Sequence, residues 1–310
     1  MRYLLVTALL SCGFQGALAQ ADEPDKALEK AREHLQKGRY AEALEAYEAL
    51  RQDEVKDHRI AIGSSRCHRA EGNWEQATAV LQTAVQEFPK TADVWAALAE
   101  VQLLQGRYEE TEQAVEKALE LNEESPLARL VRADLWTATG KLKEADQEYR
   151  WFVQYYNRAQ PEDAESLMLV AHGAAQYARW NSVSQIFNFV VNTLCPDALK
   201  ADKTYWQAHE FSGNLLLEKY NRGQSVPEFR AAIAVNPRSA DVYAAMASAA
   251  AQDHELAEAR QFTRRALDIN PRHVAALQVL ADVELSEGKL EDALKALDQA
   301  HAVNPRDEGT

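Results

Sequence analysis

The sequence predicts an all-α fold in which about eight helix–turn–helix units of 34 residues stack into a solenoid. Spacing and periodicity carry that prediction. Pro237, Pro271 and Pro305 stand 34 residues apart, each preceded by Asn, and Gly38, Gly72, Gly106 and Gly140 keep the same interval. Between Pro271 and Pro305 the apolar residues Ala276, Leu277, Leu280, Ala281 and Val283 recur at helical spacing, and Ala293, Leu294, Leu297 and Ala300 repeat the pattern after Gly288. Proline lacks the amide that a helix interior needs and biases its predecessor away from helical angles, so each Asn-Pro closes a helix. A small residue returns on the second helix of the units as Ala43, Ala77, Ala145, Ala259 and Ala293.

Residues 92–125 show the fullest version of the unit, with Trp95, Leu98 and Ala99 on the first helix, Gly106 and Tyr108 at the turn, and Ala118 on the second. This pattern, running through nearly the whole chain after residue 23, resembles the tetratricopeptide repeat. The resemblance implies a right-handed α-solenoid whose first helices line a concave groove that binds protein or peptide segments. A solenoid buries one continuous core between neighbouring helix pairs, so 310 residues need not split into separate domains.

Residues 1–21 read as a leader outside the fold. Arg2 precedes the apolar run Leu4 to Leu10, and Ala17-Leu18-Ala19 and Ala19-Gln20-Ala21 are small-x-small cleavage triplets. The reading implies export to a bacterial periplasm or beyond. Leu9-Leu10-Ser11-Cys12 offers a competing lipoprotein signal that would acylate Cys12. The run is too short for a permanent membrane span. Beyond the leader only Cys67 and Cys195 remain. They are expected to be free thiols, because a disulfide needs α-carbons within about 7 Å and a solenoid is not expected to bring distant repeats together.

Frames begin near residues 24, 58, 92 and 126, so 24–159 holds four regular repeats. Residues 160–205 hold an irregular helix pair starting near Ser166, with extra chain expected at 160–165 and 197–205 and Trp180 where the turn glycine should be. Aromatics crowd residues 149–206, among them Tyr149, Trp151, Phe152, Tyr155, Tyr156, Tyr177, Phe187, Phe189, Tyr205 and Trp206. They fill a widened gap between helices or form a binding wall for a partner. Three further repeats span 206–307. Within the first of these Pro227 interrupts the second helix, and Ser225 and Glu228 have capping-box spacing, which predicts a late start. The last repeat has no covering helix, so self-association through it, or continuation of the array, is expected.

No local motif supplies catalysis, a cofactor site or a metal site. His209-Glu210 and His254-Glu255 begin like a zinc-protease helix, but Gly213 and Glu258 stand where the second His belongs. Loss of residues 1–21 removes Arg2 and no acid from 34 basic and 48 acidic residues, which leaves a net charge of −15. That charge repels nucleic acid and anionic lipid.

The tetratricopeptide resemblance places groove residues at the second, fifth, ninth, twelfth and thirteenth positions of each first helix. Arg32, Arg59, Arg66 and Arg69 then line a basic early groove, and Glu100, Asp134, Tyr177, Asn214, Glu218 and Asp282 an acidic or neutral later one. The expected function is a non-catalytic, exported scaffold for protein partners, with acidic extended segments in the early groove. The alternative is the substrate-capturing front of a larger secreted enzyme with a metallopeptidase-like module, because 177–221 is similar to large secreted bacterial repeat proteins.

Overall fold

The computed structural model describes residues 11–219 and 221–307. The apolar run Leu4 to Leu10 lies outside the described residues, and Ser11 to Ala21 are the first turns of a long helix. Among the described residues there is no strand. The helices are α1 (Ser11–Gln36), α2 (Tyr40–Gln52), α3 (His58–Ala70), α4 (Trp74–Glu87), α5 (Ala92–Leu104), α6 (Tyr108–Leu121), α7 (Pro126–Ala138) and α8 (Leu142–Ala159). Next come α9 (Ala164–Asn181), α10 (Ser184–Phe189), a π-helical turn (Val190–Leu194) and α11 (Cys195–Ala201). The chain finishes with α12 (Gln207–Glu218), α13 (Arg222–Val235), α14 (Ala240–Gln252), α15 (Leu256–Ile269), α16 (Val274–Ser286) and α17 (Leu290–Val303). Consecutive helices pack as antiparallel pairs and each pair packs on the next, which makes an α-solenoid.

Local chemistry explains where the helices start and turn. Side chains of Asp57, Ser125, Asp163, Asn221 and Ser239 accept the orphan amides at the starts of α3, α7, α9, α13 and α14. The turn within a pair needs one residue at positive φ. Gly38, Gly72, Gly106, Gly140 and Gly288 supply it at +69° to +77°. In the irregular pair that residue is Ser182, at φ +56°. Trp180 therefore does not replace the turn glycine, because α9 runs 18 residues instead of the usual 13 and carries Trp180 inside it. Of the expected extra chain at 197–205, residues 197–201 belong to α11 and only 202–206 connect.

Pro227 does not delay its helix either. Asn221 caps α13 by accepting the Gln224 amide, and Pro227 sits inside on the exposed face. The suggested capping box is not formed. Ser225 is buried and donates to the Arg222 carbonyl, while Glu228 pairs with His209 at 2.7 Å.

The core is a chain of small clusters between neighbouring pairs. The largest surrounds Phe152, Val170, Val190 and Leu194, which are 0% exposed, and Trp151, Tyr155, Tyr156, Phe187 and Tyr205 pack against it. Most of the crowded aromatics thus fill the space where the irregular pair widens the stack. Phe189, 37% exposed, is the exception among them. On the last pair Leu285, Leu290 and Leu294 remain more than half exposed.

The coil touches itself one superhelical turn later. Tyr40 donates to the Arg238 carbonyl at 3.0 Å and Tyr108 to the Arg306 carbonyl at 3.1 Å, each 198 residues along the chain. Small rotations between repeats have accumulated into a full turn, so the expectation that a solenoid keeps distant repeats apart fails. Cys67 and Cys195 nonetheless stay free and buried in separate clusters.

Candidate partner-binding channel

The first helices α1, α3, α5, α7 and α9 face inward, and residues on them and at their starts, with Tyr47 of α2 and Tyr205, line a cavity of about 480 Å³. Its wall includes Arg32, Arg59 and Arg66, alongside Asp25, Asp93, Asp163 and Glu165. Arg69 lies deeper, with Arg66 and Glu100 in a small adjoining recess. Tyr177 and Asn214 are outside the cavity. Tyr177 packs in the cluster of Tyr149, Ala133 and Ala145, and Asn214 donates to Glu210 at 2.6 Å.

Each candidate arginine meets an acid. Arg32 reaches Asp202 at 2.6 Å and Glu29 at 3.0 Å. Arg59 pairs with Asp57 at 2.6 Å and Asp25 at 2.9 Å. Arg66 pairs with Glu165, and Arg69 with Glu100 at 2.9 Å. Confinement in the channel works against the charge on Arg66, but Glu165 and then Glu100 outweigh it and its pKa rises. The same balance holds Glu100 below the usual carboxylate range, with Arg69 and Arg66 overcoming its loss of solvation. The early channel is therefore charge-compensated rather than openly basic.

Further round, the compensation stops. Glu210 is pushed up to about 8, first because the surrounding protein withholds water from its charge and then by Asp241. Asp134, which accepts the Tyr149 hydroxyl at 2.6 Å, is pushed up to about 6 mainly by the same withdrawal of water. His172 stacks on Phe211 with centroids 3.9 Å apart and is lowered to about 4. Asp134 and His172 stay open to channel water, which moderates these shifts. Asp241 instead is held ionised by His273 at 3.0 Å and by Arg69, against the desolvation that raises it.

Sequence spacing located the arginines and leaves Glu29 within reach of Arg32, one helical turn away, but it missed the distant partners. Glu165 lies 99 residues from Arg66, and Asp202 lies 170 from Arg32. Thr204 fixes Asp202 in place with its amide at 2.8 Å and its hydroxyl at 2.7 Å. The spacing Asp-x-Thr was the visible signal of that turn.

Three tetratricopeptide repeat family models match the chain, over residues 34–101, 92–125 and 212–274. No curated protein matches the sequence. Among solved structures, the chain is similar to the anaphase-promoting complex hetero-tetramer Cut9–Hcn1, at TM-score 0.53 and 12% identity, over 91% of this chain and 53% of that one. It thus spans about half the length of that relative. A tetratricopeptide repeat protein from Parabacteroides merdae gives TM-score 0.47 at 14% identity, covering 88% of this chain and 99% of that chain. The human IFIT1 dimer with PPP-AAAA gives 0.49 at 14%, covering 89% and 72%. With the 34-residue period, the paired helices and the three matched segments in agreement, the chain belongs to the tetratricopeptide repeat family.

Proposed function

We propose that this protein is an exported, non-catalytic scaffold that holds an extended, acidic partner segment in its channel. The observation that carries the reading is the row of arginines on two successive first helices, Arg32 on α1 and Arg59 and Arg66 on α3, on the wall of the 480 Å³ cavity. Arg66 and Arg69 each pair with a carboxylate that is itself 28–44% exposed. Ion pairs of that exposure are worth about 0–1 kcal/mol, so a ligand carboxylate can exchange with them. Guanidinium is suited to the exchange, since its planar fork offers several donors and stays charged. The leader-like residues 1–21 support export, and the family's common use as an interaction scaffold supports a protein partner.

Titration of a fluorescent glutamate-rich peptide tests the reading. Arg66→Ala is expected to weaken binding and Glu165→Gln, which frees Arg66, to strengthen it, with both effects fading in high salt. Binding indifferent to both substitutions places the partner elsewhere.

A further inference from the structure

We infer that three Asn-Pro-Arg connections plug into three glycine turns one superhelical turn away and lock the coil shut, so that the channel opens only at its ends. Asn236, Asn270 and Asn304 each follow an outer helix, and each side chain first organises its own connection. Their Oδ1 atoms accept the amides of Arg238, Arg272 and Arg306 at 3.0, 2.9 and 2.9 Å. The connection so shaped then meets Gly38, Gly72 or Gly106. A methyl group at those glycines would come within 2.1, 2.3 and 2.3 Å of the Asn oxygen. Only glycine admits so close an approach, and the positive φ of the turn favours it as well.

The rest of each contact is built from the same parts. Asn236 Nδ2 donates to the Tyr40 hydroxyl at 3.1 Å, and Asn270 Nδ2 donates to the Arg69 carbonyl at 3.4 Å. The Arg238 and Arg306 guanidinium groups lie over the Tyr40 and Tyr108 rings. Arg238, Arg272 and Arg306 bridge to Glu71, Glu75 and Glu109 at 3.1, 2.8 and 2.9 Å. Val303 joins the apolar cluster of Trp74 and Leu81.

The number of plugs matches the number of sockets. Gly38, Gly72 and Gly106 are followed two residues later by Tyr40, Trp74 and Tyr108, and all three are docked. Gly140 and Gly288 share the positive φ but are followed by Leu142 and Leu290, which are more than half exposed, and a methyl group there would meet nothing within 4 Å. The aromatic therefore goes with docking and not with the turn itself. The lock stands whether or not the channel binds an acidic segment, and its test needs no ligand.

The molecule supplies its own controls. Asn122 closes α6 with the same turn, accepting the Glu124 amide at 3.1 Å, but is exposed and undocked. Gly140 is the undocked counterpart of Gly72. Small-angle X-ray scattering of the triple variant Asn236→Ala, Asn270→Ala and Asn304→Ala should show a larger radius of gyration with helicity retained, while Asn122→Ala scatters like the parent. If the triple variant does not fold, Asn270→Ala alone, read by hydrogen exchange, decides. Faster exchange at residues 71–75, in the opposite edge of the coil, supports the lock, and change confined to 266–276 overturns it. Equal scattering of triple variant and parent overturns it too, as does equal loss of compactness for Gly140→Ala and Gly72→Ala.

Discussion

Arg32 on α1 and Asp202, the residue after α11, are 170 positions apart and meet at 2.6 Å across the channel. The pair is available only in the coiled array. Arg32 is 40% exposed, so its interaction belongs on the surface scale of about 0–1 kcal/mol. A double-mutant cycle of Arg32→Ala and Asp202→Ala, followed by urea denaturation, should give a coupling of about 0.5–1 kcal/mol in low salt. In concentrated salt the coupling should fall toward zero. A coupling absent at low salt would mean that α1 and the 202–206 connection do not meet in solution.

What the sequence revealed and what it hid divide along chain distance. Gly72 and Pro271 announced their turn and helix end because those signals act within a few residues. The contact of Gly72 with Asn270 depends on the sum of many small inter-repeat rotations, and no local pattern encodes that sum. The interval was nevertheless present, since Gly38, Gly72 and Gly106 each precede an Asn-Pro by the same 198 residues. The channel followed the same rule. Arg66 was placed by its position in the repeat, but its partner Glu165 belongs to the irregular pair, where repeat numbering gives no guide. The aromatics packed around that pair were easy to see, and their role was settled by burial, with Tyr149 and Phe152 on α8 at 2% and 0% exposure.

Glu148 should be a stability determinant well above the surface acids. It is 7% exposed and accepts from Arg129 at 2.7 Å and Arg132 at 2.8 Å, and these arginines lie over Trp151 and Trp136. Removing one member of a buried pair leaves charge uncompensated, which costs about 3–5 kcal/mol. Glu148→Ala is expected to lose that much in chemical denaturation. A loss below about 1 kcal/mol, the scale of a surface pair, would show that water solvates both arginines freely.

Gly173→Ala should destabilise the protein, although alanine is the better helix former by about 1 kcal/mol. A methyl group on Gly173 would lie 2.2 Å from Phe152 Cδ2, and that ring is fully buried. Overpacking of a tight core costs about 1–3 kcal/mol, which exceeds the propensity gain. The second substitution Phe152→Leu should recover part of the loss in the Ala background. Additive losses in thermal unfolding would contradict the contact.

Cys67 and Cys195 should resist alkylation in the native protein. Both are at most 1% exposed, and burial pushes their thiols up to about 12, so little nucleophilic thiolate exists at neutral pH. Iodoacetamide followed by peptide mass mapping should modify neither residue natively and both in urea. Rapid native labelling of Cys195 would show that the irregular pair opens readily.

The pH dependence of stability should carry the signature of Glu210. Its carboxyl ionises near 4.5 when unhindered and near 8 in the folded channel, where protein displaces water and Asp241 repels its charge. The folded chain thus binds this proton more tightly than the unfolded chain, and the resulting stabilisation is complete below pH 4.5 and lost as pH rises to about 8. Asp241, held low by His273, contributes in the opposite sense, since its stabilisation disappears as pH falls through its folded pKa. Glu210→Gln fixes the uncharged state. Its melting temperature should therefore match the parent's near pH 4.5 and exceed it by a margin that grows toward pH 8, reduced from the full linkage value because channel water reaches the half-buried side chain. Asp241→Asn should shrink that margin by removing the repulsion. A margin that stays constant across the whole interval would exclude Glu210 as the titrating group.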